Sequence, residues 1–248
     1  MALPLIIGNW KMHNSLAESE ALLRQLLTQL DSQNEVEVCV CPPFTALALA
    51  GSLLKASNIK LGAQSCHHLE SGAFTGEVSL PMLKELACQY VLVGHSERRQ
   101  FFGETDSGVA AKVAAAVKHG LVPVLCIGED LATRQSGRGE SYVLAQLEAG
   151  LSLLSGPVDE VVIAYEPVWA IGTGQAATPA QANEMLRSIA EKTPQVADIK
   201  QVRLLYGGSV TAQNAAGFFA EEYVGGVLAG GVSLKAESFA HIVRLARR

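Results

Sequence analysis

The sequence predicts an α/β fold, a single-domain (β/α)8 barrel of parallel strands, on three observations. Eight short apolar runs recur along its 248 residues, helix-like patterns lie between them, and no linker, charge block or low-complexity tract interrupts the series. Successive runs start roughly 20 to 40 residues apart, the length of a strand–helix unit, so parallel strands joined by crossover helices are the economical reading. Eight is the number at which such a sheet closes, which favours a barrel over an open doubly wound sheet. Residues 1–248 are read as one domain, a size common for such barrels.

In order, the runs are LPLIIGN (3–9), EVEVCVC (35–41), IKLGAQ (59–64), QYVLVGH (89–95), LVPVLCIGE (121–129), EVVIAYE (160–166), VRLLYGG (202–208) and VGGVLAGG (224–231). After the first run, SLAESEALLRQLLTQL places Leu16, Leu23, Leu26, Leu27 and Leu30 on one face, with Ser15 as the cap. DSGVAAKVAAAVKHG closes on Gly120, a glycine suited to end a helix. The sixth run reads as a strand over 161–165, with Glu166 at its carboxyl end and Pro167 unable to donate a further ladder bond. Thr178 as N-cap with Pro179 in the first helical position starts the helix that follows.

Acidic residues number 24 and basic residues 19, a formal charge of −5. That balance excludes a global basic field for nucleic acid or an anionic membrane, so any anion must be caught locally. The opening MALPLIIGNWKMHN has no basic leader and only a short apolar run before Lys11, so neither a signal peptide nor a membrane span is expected and a cytoplasmic protein is. Five cysteines, an odd number, fit reduced thiols. Cys39 and Cys41 share a strand face, which reads as packing, and the adjacent His67 and His68 diverge as solvated loop residues; no metal is expected at either pair.

Barrel active sites collect at the carboxyl ends of strands. Those ends carry Asn9 and Lys11 after the first run, His95, Ser96 and Glu97 after the fourth, and Cys126 and Glu129 at the fifth. Glu166 follows the sixth, Tyr206 to Ser209 the seventh, and Ala229 to Gly231 the eighth. Taking a proton from a carbon beside a carbonyl requires a base, a donor to the enolate oxygen and shielding from water. Glu166 suits the base. His95, at the start of HSERRQFFGE, is expected at a helix amino end, where the dipole disfavours imidazolium and leaves a neutral donor ring. Lys11 adds positive charge and Asn9 an amide, with no cofactor required. Gly172 to Gly174, Gly207 to Ser209 and Gly230–Gly231 let backbone N–H groups approach a phosphate. Gly172-x-Gly174-x-x-Ala177 imitates a dinucleotide fingerprint but does not open a helix directly off a strand, so it is set aside.

GNWKM, GAFTGE, VGHSERR, VLCIGE, AYEPVWAIGTG and YGGSV, in this order and spacing, resemble the triosephosphate isomerase family over essentially the whole chain. The resemblance implies a TIM barrel that interconverts dihydroxyacetone phosphate and D-glyceraldehyde 3-phosphate through an enediol. It implies Glu166 as base, His95 as electrophile, and Lys11 and Asn9 as substrate contacts. Gly172, Ser209, Gly230 and Gly231 match the family's phosphate donors, and Glu97 and Cys126 its supporting positions. Residues 167–177 resemble its lid, and the 65–79 loop, with Thr75 near its tip, the loop through which it forms homodimers. Departures from the usual pattern stand at Ser65, Gln175, Gly225 and Val232.

Two other readings use the same residues. A barrel aldolase would form a Schiff base on Lys11, although Lys11 lies beyond the strand with Asn9 nearby. A silent phosphate-binding barrel would keep the glycines without the chemistry, although both Glu166 and His95 are present.

Overall fold

The computed structural model describes residues 3–30, 34–170 and 177–247. Eight parallel strands close into one barrel in chain order: β1 (Leu5–Asn9), β2 (Glu37–Cys41), β3 (Lys60–Ala63), β4 (Cys88–Val93), β5 (Val122–Ile127), β6 (Val158–Tyr165), β7 (Ile199–Tyr206) and β8 (Gly226–Ala229). Closure comes from β1 against β8, registered from Leu5 opposite Gly226 to Gly8 opposite Ala229. A Cβ on Gly226 would lie 1.9 Å from the Leu5 carbonyl oxygen, so the seam requires glycine there. Every sequence-predicted run overlaps a strand, and β4 begins one residue before its run. β6 and β7 begin two to three residues earlier than read, because their first residues pair with each other, from Val158 opposite Ile199.

Strands in a barrel are buried on both sides, and the alternation of side chains sorts two cores. Leu5, Ile7, Cys39, Cys41, Tyr90, Leu92, Val124, Cys126, Val162, Ala164, Leu205 and Leu228 form a cluster inside the barrel. Their strand neighbours, such as Ile6, Val40, Val91, Leu125 and Ile163, pack outward under the helices. Cys39 and Cys41 are thus interior packing residues. All five cysteines are free thiols, and burial pushes those of Cys66 and Cys88 up to about 12.

The helices described are α1 (Leu16–Leu30), α2 (Leu47–Leu54), α3 (Leu80–Glu85), α4 (Ser96–Phe102), α5 (Asp106–Lys118), α6 (Leu131–Gln135), α7 (Gly139–Leu151), α8 (Pro179–Val196), α9 (Ala215–Phe219) and α10 (Ala236–Leu245). Ser15 does cap α1: its Oγ accepts from Glu18 N while the Glu18 carboxylate accepts from Ser15 N. The buried stripe of α1 is Ser19, Leu22, Leu23, Leu26 and Leu30, which corrects the sequence reading at one end. Leu16 is 54% exposed, because it sits in the first helical position beyond the packed part of that stripe. Gly120 takes a left-handed φ of 71° just past α5, and Thr178 forms a full capping box with Gln181 at the start of α8.

In the amino-terminal half of the barrel, Arg203 of β7 is buried. It donates to carboxylates on Glu37 of β2 and Glu160 of β6 and to the Tyr90 hydroxyl of β4. At the opposite ends of the strands lies a cavity of about 710 Å³.

Candidate active site

The sixth strand delivers its terminal carboxylate by extending the ladder past the strand. Glu166 N donates to the Ile127 carbonyl at 2.8 Å, Pro167 donates nothing, and Val168 N donates to the Glu129 carbonyl at 3.1 Å. The Glu166 side chain is thereby buried, 1% exposed, at the cavity wall. Its Oε2 accepts the backbone N–H of Ser96 at 2.8 Å. Its Oε1 lies 3.0 Å from His95 Nε2 but has no aligned donor.

His95 is the N-cap of α4, as the sequence implied, and its Nδ1 accepts the Glu97 N–H at 3.3 Å. An Nδ1 that accepts is unprotonated, so the neutral ring in this geometry carries its proton on Nε2, facing Glu166 and the cavity. Burial pushes the His95 pKa down, but the adjacent Glu166 carboxylate more than offsets it, leaving the imidazole above its ordinary value. That direction differs from the expectation from the helix end alone, and its cause is the Glu166 carboxylate in contact.

Asn9 ends β1 and is buried. Its Oδ1 accepts the Lys11 N–H at 3.0 Å, which turns the chain after the strand. Lys11 has a left-handed φ of 52°, unusual for a side chain of its size. Gln64 holds that backbone in place, donating from one amide nitrogen to both the Lys11 and Cys41 carbonyls at 2.8 and 2.9 Å. The Lys11 ammonium reaches Glu97 Oε1 at 2.5 Å and is partly exposed. It is therefore ion-paired at the rim, unlike the desolvated interior lysine that a Schiff-base aldolase needs.

Glycines form the far wall. Gly207, Gly208, Ser209, Gly230 and Gly231 all line the cavity, together with Val232. Gly208 has no room for a side chain, since a Cβ would lie 2.3 Å from the Tyr206 hydroxyl, whereas Gly231 faces open space. Asn214 secures the loop after β7 by donating to the Ser209 carbonyl at 3.1 Å. Ser209 Oγ in turn donates to the Ala170 carbonyl at 3.3 Å, tying this loop to the segment after Glu166. Cys126 lies inside the barrel, its thiol pushed up first by burial and then by the Glu166 charge. Gly172 and Gln175, with most of the 167–177 lid, lie outside the described residues.

Two roles escaped sequence reading, one of them at Glu129, which was placed on the rim without its partners. Glu129 is fully buried and gathers three donors on Oε1: Trp169 Nε1 at 2.9 Å, the Tyr165 hydroxyl at 3.0 Å and Arg134 at 3.0 Å. Gly128 packs so closely on Glu166 that a Cβ would lie 1.7 Å from its carbonyl oxygen. The signal for the first was a carboxylate in an apolar run with a tryptophan and a tyrosine in the following strand and turn, and the second left none beyond the glycine itself.

Glu166, His95 and Lys11 meet a glycine edge in one cavity on the carboxyl rim of a closed parallel barrel, the place where (β/α)8 enzymes work, and its relatives are isomerases. The triosephosphate isomerase profile matches residues 4–246. Triosephosphate isomerase of Chloroflexus aurantiacus is 47% identical, covering 98% of this chain and 99% of its own; that of Aquifex aeolicus is 44% identical over 96% and 98%. The crystal structure of triosephosphate isomerase from Bartonella henselae superposes with a TM-score of 0.89 at 38% identity, covering 100% of both chains. The chain belongs to the triosephosphate isomerase family.

Proposed function

We propose that this chain interconverts dihydroxyacetone phosphate and D-glyceraldehyde 3-phosphate, as a step of glycolysis and gluconeogenesis. The observation that carries the reading is the buried contact of 3.0 Å between His95 Nε2 and the Glu166 carboxylate, at a cavity shared with Lys11 and the glycine rim. Glu166 takes the proton from C1 of the ketose, and the C–H electron pair becomes the C1=C2 bond of an enediol. The C2 carbonyl oxygen gains a proton from His95 Nε2. Return of a proton to C2 and loss of one from the C1 hydroxyl gives the aldose, so hydrogen count and oxidation state balance without a cofactor. Lys11 offsets the negative charge that builds on oxygen, and the Asn9 amide contacts the substrate.

The phosphate sits against Ser209, Gly230 and Gly231, joined by Gly172, and residues 167–177 act as a lid that excludes water from the enediol. Residues 1–248 act as one domain, a reading supported by full coverage of a single-barrel relative. The partner is a second copy. Residues 68–77 project as an exposed finger, pinched at its base where His67 N donates to the Val78 carbonyl at 2.8 Å, and Phe74 is 44% exposed there. Exposed apolar groups on a projecting loop favour burial in an interface. We place the protein in the cytoplasm. Among the described residues no helix is long and apolar enough to cross a membrane.

The test is a coupled assay in which glyceraldehyde 3-phosphate is supplied and the dihydroxyacetone phosphate formed is reduced at the expense of NADH. Rapid NADH loss that disappears in Glu166→Gln supports both activity and base. A folded protein that binds inorganic phosphate yet turns nothing over would overturn the reading in favour of a silent phosphate-binding barrel.

A further inference from the structure

We infer that Gln146, which is not in the wall of the cavity at the carboxyl rim but lines a smaller one beside it that Glu166 also lines, positions the base. Gln146 is a buried polar side chain on α7, only 5% exposed, and its Oε1 accepts the N–H of Gly128 at 2.8 Å. Gly128 is the middle residue of the segment after β5 against which Glu166 is held. The carbonyls on either side of it, Ile127 and Glu129, accept the N–H groups of Glu166 and Val168. Its own α-carbon packs flat on the Glu166 backbone, with no space for a Cβ. Residues 127–129 therefore act as a three-residue template for the base, and Gln146 holds the Gly128 N–H, which faces away from the Glu166 strand.

The consequence for chemistry follows from geometry. With the Gly128 N–H unpaired, the 127–129 peptides are free to rotate toward another acceptor. The carbonyls that fix Glu166 rotate with them, and the carboxylate shifts away from His95 Nε2. A misplacement of about 1 Å at a reacting group is enough to cost up to about a hundredfold in rate. The phosphate rim comes from the loops after β7 and β8, to which Gln146 does not bond, so binding is spared. The effect belongs in kcat and leaves KM alone. Glu129 is a different case, because its carboxylate anchors Trp169 and Tyr165 from the far side of the same segment.

The inference rests on Glu166 being the base, and the experiment separates the two. Steady-state kinetics with glyceraldehyde 3-phosphate would be measured for Gln146→Met, of similar volume without the acceptor, and for Gln146→Glu, which keeps it, beside Glu166→Gln. Thermal unfolding would be followed for each. Expected are a fall in kcat of about tenfold or more in Gln146→Met with KM within about twofold, and recovery of most of that loss in Gln146→Glu. Parental kcat in Gln146→Met, a loss as deep in Gln146→Glu, or a change carried by KM would each overturn the inference. Should Gln146→Met fail to fold, Gln146→Asn, which withdraws the same acceptor by one carbon, takes its place with the same expectation. Full activity in Glu166→Gln would overturn the assignment of the base instead.

Discussion

His95 Nε2 and Glu166 Oε1 stand 3.0 Å apart in a buried contact that is close without being a directed hydrogen bond, while the other carboxylate oxygen accepts from Ser96 N. The carboxylate is what lifts the imidazole pKa against the opposing effect of burial. A histidine raised in the folded state contributes stability that is fully present below its unfolded value, about 6.5, and lost as pH rises through the folded one. In Glu166→Gln the His95 titration, followed by NMR of the ring proton, is expected to fall below the ordinary value, so its contribution to the pH dependence of unfolding changes sign and is lost as pH falls. An unmoved midpoint would show that the carboxylate is not the cause. The same variant is expected to lose a hundredfold to ten-thousandfold in kcat, the usual worth of a general base.

Lys11 separates function from stability. Its pair with Glu97 is partly exposed, so its loss costs about 1 kcal/mol or less, which for a chain of this size is a melting shift of up to about 4 °C. Its charge near the developing oxyanion is worth more, and Lys11→Met is expected to lower kcat/KM by about a hundredfold or more. Calorimetry and kinetics on one preparation would check both, and a small kinetic effect would remove Lys11 from the proposed chemistry.

Two glycines on the same rim predict opposite phenotypes. Gly128→Ala forces a methyl group to within 1.7 Å of the Glu166 carbonyl oxygen, so the variant is expected either to be insoluble or to fold with Glu166 displaced and little turnover. A methyl at Gly231 meets nothing within 4 Å. Gly231→Ala is expected to fold normally and raise KM, because the Cβ occupies the space proposed for phosphate. Equal behaviour of the two would contradict the steric reading.

Glu129→Leu removes the acceptor shared by Trp169, Tyr165 and Arg134. Three hydrogen bonds to a carboxylate at about 1.5 kcal/mol or more each give a loss of about 4.5 kcal/mol or more, or roughly 9 °C or more in Tm. Trp169 fluorescence is expected to shift to the red as the indole loses its anchor. Unfolding with the parental midpoint would show that the three contacts are worth little in this setting.

The finger at 68–77 predicts the assembly state. Sedimentation of the parent is expected to give twice the chain mass, and Thr75→Arg, which puts a bulky charge near the exposed tip, half of that. A parent that sediments at the mass of one chain would remove the dimer from the proposed function.

The barrel was legible because each strand is a short apolar run of its own, and parallel strands buried on both faces need no alternation to be found. Glu166, His95, Lys11 and Asn9 were legible for a related reason: a polar residue just after such a run sits on the rim by construction of the fold. What stayed hidden depends on pairs far apart in sequence. Gln64 fixes the Lys11 backbone across 53 residues and Gln146 reaches Gly128 across 18, and neither glutamine differs in sequence from one facing water. The direction of the His95 shift was missed because the local signal, a helix amino end, was weighed without the carboxylate that β6 brings in. Leu16 was misplaced because helical periodicity says which face a residue takes but not where the neighbouring element stops.

Arg203 joins Glu37, Glu160 and Tyr90 from four strands in the half of the barrel away from the site. The strands that carry these four residues also end at or near the carboxyl rim, yet the two sets of side chains share no member. This separation gives the protein a division of labour that selection or an engineer can exploit. The ionic clasp has to be changed as a set, because removing one partner leaves a buried charge uncompensated, but such a change leaves the atoms of the rim on which turnover is proposed to depend in place.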